Sequence, residues 1–194
     1  GDVDQAAVTI DAFELASCSL EDCTEPLRFS VNRVGEDPDP DQQTLVLTCD
    51  DRYSVDIEVY VWDNANNPYA VQPDGTMGGS NYKFCTATVF VEDNTDPLAL
   101  CQDVTVQLDA TGNGSTTATA VDNGSNDACG IASLETSVGS NPADFTCANV
   151  GANTVTLTVT DNNGNSSTCY ATVVVEDNIP AQIMLKIFIP FIFF

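Results

Sequence analysis

At 194 residues with 43% hydrophobic side chains, the chain has room for one large domain or two of about 100 residues, and wholesale disorder is not expected. Its 29 acidic against 5 basic side chains give a net charge of −24, which excludes nucleic acid, whose phosphates need basic partners, and argues against docking on anionic membranes. Histidine is absent, so Ser–His, Cys–His and His-ligated zinc chemistry are excluded as well. The acid itself serves either solubility in salty water or the collection of divalent cations.

In chain order, an opening GDVDQ that looks processed or excerpted leads into AAVTID (6–11), a short strand. Next comes TCDDRYSVDIEVYVWDN (48–64), in which DIEVYVW (56–62) alternates with a period of two. A long hairpin loop follows at 64–81, containing NPYAVQPDGTMGGS, and then FCTATVFVEDN (84–94). VTVQL (104–108), VTLTVT (155–160) and YATVVVE (170–176) show the same strand period. DNNGNSS (161–167) is a hairpin turn, with Gly164 suited to a positive φ. No stretch has a helical period of 3.6.

Two of these segments recur. Residues 84–94 return as TCYATVVVEDN (168–178), 84 positions later, and 48–64 return as TCANVGANTVTLTVTDN (146–162), 98 positions later. The difference of 14 is the insertion in the first copy's hairpin, where extra length does little harm. Several short strands per copy predict an all-β chain of two tandem immunoglobulin-like β-sandwich domains. The expected boundaries are 1–94 and 95–180, followed by an apolar β-strand tail, 181–194.

DVTVQLDATGNGSTTATAVDNGSNDACGI, then NTVTLTVTDNNGNSSTC, then ATVVVEDN resembles the hyalin-type (HYR-like) immunoglobulin-like repeats of large bacterial surface proteins, over about residues 97–178. The first copy follows that pattern from about Cys23 onward and departs from it at its start and in its long hairpin. The resemblance implies an extracellular or cell-surface stalk, adhesin or fibre module and no enzyme. Eight cysteines with no C-x-x-C pair fit disulfides formed outside the cytosol. The similar repeats imply Cys101 with Cys169, leaving Cys129 with Cys147. Alignment of the copies carries the second pair onto Cys23 with Cys49, and leaves Cys85 with Cys18.

The first copy starts at the counterpart of STTATAVD and has nothing equivalent to the first strand in LALCQDVTVQLDATGNG (98–114). A sandwich short of an edge strand leaves unpaired backbone beside an apolar groove. AQIMLKIFIPFIFF (181–194) supplies ten large apolar side chains, and Leu185 falls seven residues after Asn178 as Cys101 falls seven after Asn94. As a strand it places Ile183, Leu185, Ile187 and Ile189 on one face. The expected role is donation into the first domain of the next identical subunit, giving a head-to-tail homopolymer. A role within its own chain and a reading-frame artefact are the alternatives. A membrane span is not expected, because it needs about 20 apolar residues.

Acidic clusters end both copies: VEDNTDP (91–97), with Glu92, Asp93, Asn94 and Asp96, and VEDNIP (175–180), with Glu176 and Asp177. They loosely resemble the calcium-binding linkers of cadherin-like arrays, and the plainer alternative is a turn that stops the last strand. No cofactor is required, and calcium is the one entertained. The competing function is a calcium-dependent carbohydrate-binding or stalk module of a larger secreted protein, with surface glycans or cell surfaces as partners. A concave aromatic strip would mark it, whereas the aromatics outside the tail (Tyr53, Tyr60, Trp62, Tyr69, Tyr82 and Tyr170) read as scattered, and Trp62 is expected to be a core or inter-sheet aromatic.

Overall fold

The computed structural model describes residues 7–16, 26–138 and 142–181. The chain is mostly β-strand and divides into two compact units, Gly1–Thr95 with Asp127–Gly130, and Asp96–Asn126 with Ile131–Phe194.

In unit 1, β1 (Ala7–Asp11) runs into one helical turn, α1 (Ala12–Leu15), capped by the Asp11 carboxylate, which accepts from the Phe13 N–H at 2.8 Å. Then follow β2 (Arg28–Arg33), β3 (Thr44–Thr48), β4 (Tyr53–Trp62) and β5 (Tyr82–Val91). They form a two-stranded sheet, β1-β3, and a three-stranded sheet, β2-β4-β5. Alternation places Ile57 and Val59 of β4 on one face, where they pack with Val31, Ala12, Leu45 and Leu47, so both sheets contribute to one core. Each such side chain contributes about 1.5–3 kcal/mol on burial.

Unit 2 contains β6 (Val104–Gln107), β7 (Asn113–Thr116), α2 (Ala118–Val121), β8 (Ile131–Thr136), β9 (Ala143–Thr146), β10 (Gly151–Asp161) and β11 (Ser166–Glu176). Its sheets are β6-β11-β10-β8 and β7-β9. Phe145 and Ala143 from the smaller sheet pack against Val106, Val155, Val173 and Val175 from the larger. The β10–β11 hairpin turns on Asp161, whose carboxylate accepts from the N–H groups of Asn163, Gly164 and Asn165. Gly164 takes φ +97° there, in the left-handed region that only glycine enters freely. Burial opposes ionisation of Asp161, but the Asn165 amide and those three N–H groups outweigh it and hold its pKa below the ordinary carboxylate range.

The two units repeat one element order. β1, α1, β2, β3, β4 and β5 match β7, α2, β8, β9, β10 and β11. Between third and fourth strands both carry a 3-10 turn, Cys49–Asp51 and Cys147–Asn149, closed by capping boxes from Thr48 and Thr146. In unit 1 the box residue is Asp51, which also takes the Arg33 guanidinium at 2.6 and 3.0 Å. Its pKa is lowered: burial raises it, and the Thr48 N–H and Arg33 more than offset that. One element has no counterpart among the described residues of unit 1, and that element is β6.

The cysteine pairing differs from the alignment of copies. Cys101 and Cys169 are joined, with Cα atoms 5.7 Å apart. Cys49, however, is bonded to Cys129, Cα atoms 5.3 Å apart, so neither Cys23–Cys49 nor Cys129–Cys147 forms. The physical reason lies in the path of Asp127–Gly130, which clusters with unit 1 although it belongs to the second sequence copy. Cys147 is a free, exposed thiol seated against Gly112, whose carbonyl it approaches at 3.7 Å. Cys85 is also free and exposed, so Cys18–Cys85 is not made; Cys18 and Cys23 themselves lie outside the described residues.

Candidate functional site, an uncovered strand edge

β5 and β11 hold the same place in their units and differ in what lies beside them. β4 and β5 pair antiparallel from Tyr53↔Val91 to Trp62↔Tyr82, and the Asp63 N–H donates to the Asn81 carbonyl. By the alternation of an antiparallel ladder, Lys83, Cys85, Ala87 and Val89 bond inward to β4, while the backbone groups of Phe84, Thr86, Thr88 and Phe90 point outward. In unit 2 the matching outward groups are taken. β6 runs parallel to β11 from Val104↔Val173 to Gln107↔Glu176. The Asp103 carboxylate accepts from the Thr172 N–H at 2.7 Å, and the Leu108 N–H donates to the Glu176 carbonyl at 2.9 Å. Among the described residues of unit 1 no strand lies along the outer side of β5.

Burial follows the same contrast. Ala171, Val173 and Val175 are 4%, 0% and 1% exposed under β6. Their counterparts 84 positions earlier are Ala87, which is exposed, and Val89 and Val91, which are only half-buried. The Cys169 sulfur is bonded to Cys101, just ahead of β6, whereas its counterpart Cys85 is a free thiol in solvent. Every inward position on β5 is thus less covered than its twin.

The outward face of unit 1's larger sheet is aromatic. Tyr60 stacks on Trp62 and on Phe84 at centroid distances of 5.5 and 5.0 Å, and Trp62 meets Tyr82 at 5.1 Å. Trp62 is buried, on the face of β4 opposite Ile57 and Val59, and its indole N–H donates to Ser30 Oγ at 2.9 Å. Tyr60 donates its hydroxyl to Glu58 at 2.9 Å; burial first, then that carboxylate, pushes its pKa upward. Beside this ladder an open cleft of about 470 Å³ is lined by Ala70, Val71, Asn81, Tyr82, Lys83 and Phe84.

The acidic candidates are dispersed. Asp93 is brought together with Asp127 and the Cys129 sulfur, all within 4.8 Å, but that sulfur is committed to Cys49 and two carboxylates fall short of the six to eight oxygens calcium takes. Asp93 and Asp177 each accept from an N–H two residues on, at Thr95 and Ile179, as turn-forming side chains do. Glu176 accepts from Gln107 and Asn178. Glu92, Asn94 and Asp96 are exposed, and Glu92 and Asp96 join no such group among the described residues. Ile183, Leu185, Ile187 and Ile189 lie outside the described residues.

The sequence reading of Tyr60, Trp62 and Tyr82 as scattered aromatics is corrected, since they meet one another and Phe84, and Asp127 was passed over. The ladder had a signal: Tyr60, Trp62, Tyr82 and Phe84 stand where the second copy has Thr158, Thr160, Ser166 and Thr168. Asp127 had none, because its neighbourhood depends on the path of 127–130. No helix among the described residues is long and apolar enough to cross a membrane. No family model matches the chain, and no curated protein matches it.

Proposed function

We propose that the protein is a structural subunit of an extracellular filament, built of two immunoglobulin-like β-sandwich domains. It polymerises head to tail when the 181–194 segment of one subunit lies along β5 of the next. The observation that carries this is the paired comparison of β5 with β11: same position, same sequence motif, one covered by a parallel strand and one with no strand along its outer side among the described residues. The tail has the chemistry for the vacancy, with ten large apolar side chains and Leu185 in the register that Cys101 holds ahead of β6. Laid parallel to β5 in that register, it would set Phe188, Pro190 and Ile192 where Val104, Val106 and Leu108 cover β11, with Leu185 where Cys101 lies. Burying ten such side chains contributes on the order of 15–30 kcal/mol before ordering costs. A contact between two different surfaces, repeated without closing, makes an open fibre. Two disulfides suit an oxidising compartment outside the cytosol. The role needs no catalysis and no cofactor; calcium at Asp93 and its neighbours would be an accessory.

Electron microscopy and sedimentation of the full chain against a chain ending at Ala181 test the proposal. The full chain should form filaments with a two-lobed repeat, and the shortened one should stay monomeric. Filaments from the shortened chain, or dispersed full-length monomers at high concentration, would sink it.

A further inference from the structure

Cys49 and Cys147 are twins, 98 positions apart, and each opens a 3-10 turn behind a threonine cap. Thr48 stands at φ −128°, ψ −179° and Thr146 at φ −132°, ψ 179°, so the same backbone geometry launches both sulfurs. Their fates differ. Cys49 is bonded to Cys129, which belongs to the second sequence copy, whereas Cys147 is an exposed free thiol. Along the repeat, the twin of Cys129 is Cys23, just ahead of β2 as Cys129 is just ahead of β8. The bond Cys49–Cys129 thus joins the turn cysteine of one copy to the pre-strand cysteine of the copy that follows it. We propose that Cys147 of one subunit makes the same bond to Cys23 of the next, locking the filament covalently at each junction.

This lock rests on the strand-donated filament proposed above. There the second copy is followed by the first copy of the next subunit, as the first copy is followed by the second within one chain. No other free thiol matches Cys147 in this way. Cys129 is committed to Cys49, and Cys169 to Cys101. Cys85 is the twin of Cys169, and in the tail's register the place of Cys101 falls to Leu185, which has no sulfur. Cys18 has no counterpart in the second copy. A bond between two different cysteines is heterologous, as strand donation is, so it extends an open fibre instead of closing a dimer.

The thiol is placed for it. Gly112, at φ +79°, keeps one side of Cys147 clear, because a Cβ there would meet the sulfur at 2.5 Å. At −24 per subunit, neighbours repel most at low ionic strength, and a covalent bond holds a junction that charge would loosen. The oxidant is a small disulfide in the medium, such as oxidised glutathione. The Cys147 thiolate attacks one of its sulfurs, expels a thiolate and leaves a mixed disulfide. The Cys23 thiolate then attacks the Cys147 sulfur and expels the second thiolate. Two protein thiols are oxidised, the small disulfide is reduced to two thiols, and the two protein protons pass to them.

The full-length chain is assembled with oxidised glutathione, its remaining thiols are blocked with a maleimide, and the product is run in SDS without reductant. A ladder of covalent multimers should appear, collapse to monomer on reduction, and yield a peptide joining Cys147 to Cys23. Cys147→Ser and Cys23→Ser should each abolish the ladder and leave filaments visible by electron microscopy, since neither position lies on β5 or in the tail. Cys85→Ser should leave the ladder intact. Filaments without a ladder, or filaments joined through Cys147–Cys147 or Cys147–Cys85, would overturn the lock and leave strand donation standing. Monomers with neither filament nor ladder would overturn both.

Discussion

If β5 awaits a strand, truncating Val89 should cost little in a lone subunit and much in a completed one. Val173, its twin, is fully buried under β6. Removing its two methyl groups forfeits about 1.6 kcal/mol of transfer energy at 0.8 per carbon, and the cavity left behind raises this to about 2–3 kcal/mol. Val89 is half-buried, so Val89→Ala in a chain ending at Ala181 should cost about 1 kcal/mol, with little cavity because the site is already open. Fusing residues 182–194 ahead of Gly1 through a flexible linker supplies the strand within one molecule. In that protein Val89→Ala should rise to the same 2–3 kcal/mol, while Val173→Ala should cost about 2–3 kcal/mol in both backgrounds. Urea unfolding followed by circular dichroism measures all four differences. Equal costs for Val89→Ala with and without the fused segment would refute the reasoning, whatever electron microscopy shows.

The remaining predictions concern bonds already in place. Removing Cys101–Cys169, which spans 68 positions, should cost about 4 kcal/mol by chain entropy, and non-reducing peptide mapping should recover Cys49 joined to Cys129. A maleimide should label Cys85 and Cys147 in the chain ending at Ala181, with Cys85 protected once the tail segment is fused ahead of Gly1; unchanged labelling of Cys85 counts against strand donation. Asp51 and Asp161 both have lowered folded-state pKa values, so their stabilisation is complete above the unfolded value of about 3.9 and is lost as pH falls through the folded one. Melting temperature should therefore hold steady near neutrality and fall below about pH 4, and Asp161→Asn should narrow its deficit there; a deficit independent of pH would show that the charge is irrelevant.

Strands were legible because their signal is local. Alternation in DIEVYVW and VTLTVT depends on which side chains face which way, and a single segment reports it. The recurrence at shifts of 84 and 98 then carried one unit's element order onto the other, down to Thr48 and Thr146 with their capping boxes. Cys101–Cys169 followed from the resemblance and is present, but the partners of Cys49 and Cys129 were not legible, for the opposite reason. Cys129 stands where Cys23 does in the repeat, yet four residues, Asp127–Gly130, cluster with the other unit and deliver its sulfur to Cys49. Pairing depends on where a loop travels, and no periodicity records that. The aromatic ladder falls between these cases: the substitutions of Thr and Ser by rings were visible, but only the β4–β5 register shows that four residues from two strands meet as one surface.

The edge of β5 that no described strand covers and the repeat are connected by chain order. In unit 2 the covering strand, β6, follows the VEDN that closes β5, leads through the Asp109–Asn113 turn into β7, and pairs with β11 at the other end of the unit's sequence. Completion of a unit thus comes from whatever follows a VEDN. Applied once more, the rule leaves the segment after the second VEDN, Ile179 onward, without a unit of its own in this chain, and unit 1 without a covering strand among its described residues. A third copy would use that segment covalently. In the proposed filament the neighbour's unit 1 uses it instead, so each subunit junction repeats β6 on β11 with a chain break in place of a peptide bond. Parallel pairing then follows from the same topology, and an antiparallel tail would have to reverse direction after Asn178 to reach β5. Isotope-edited infrared spectra or cross-links from the tail to Thr86 and Phe90 should therefore order Leu185 before Ile189 along the β5 direction, and the reverse order would break the link between repeat and filament.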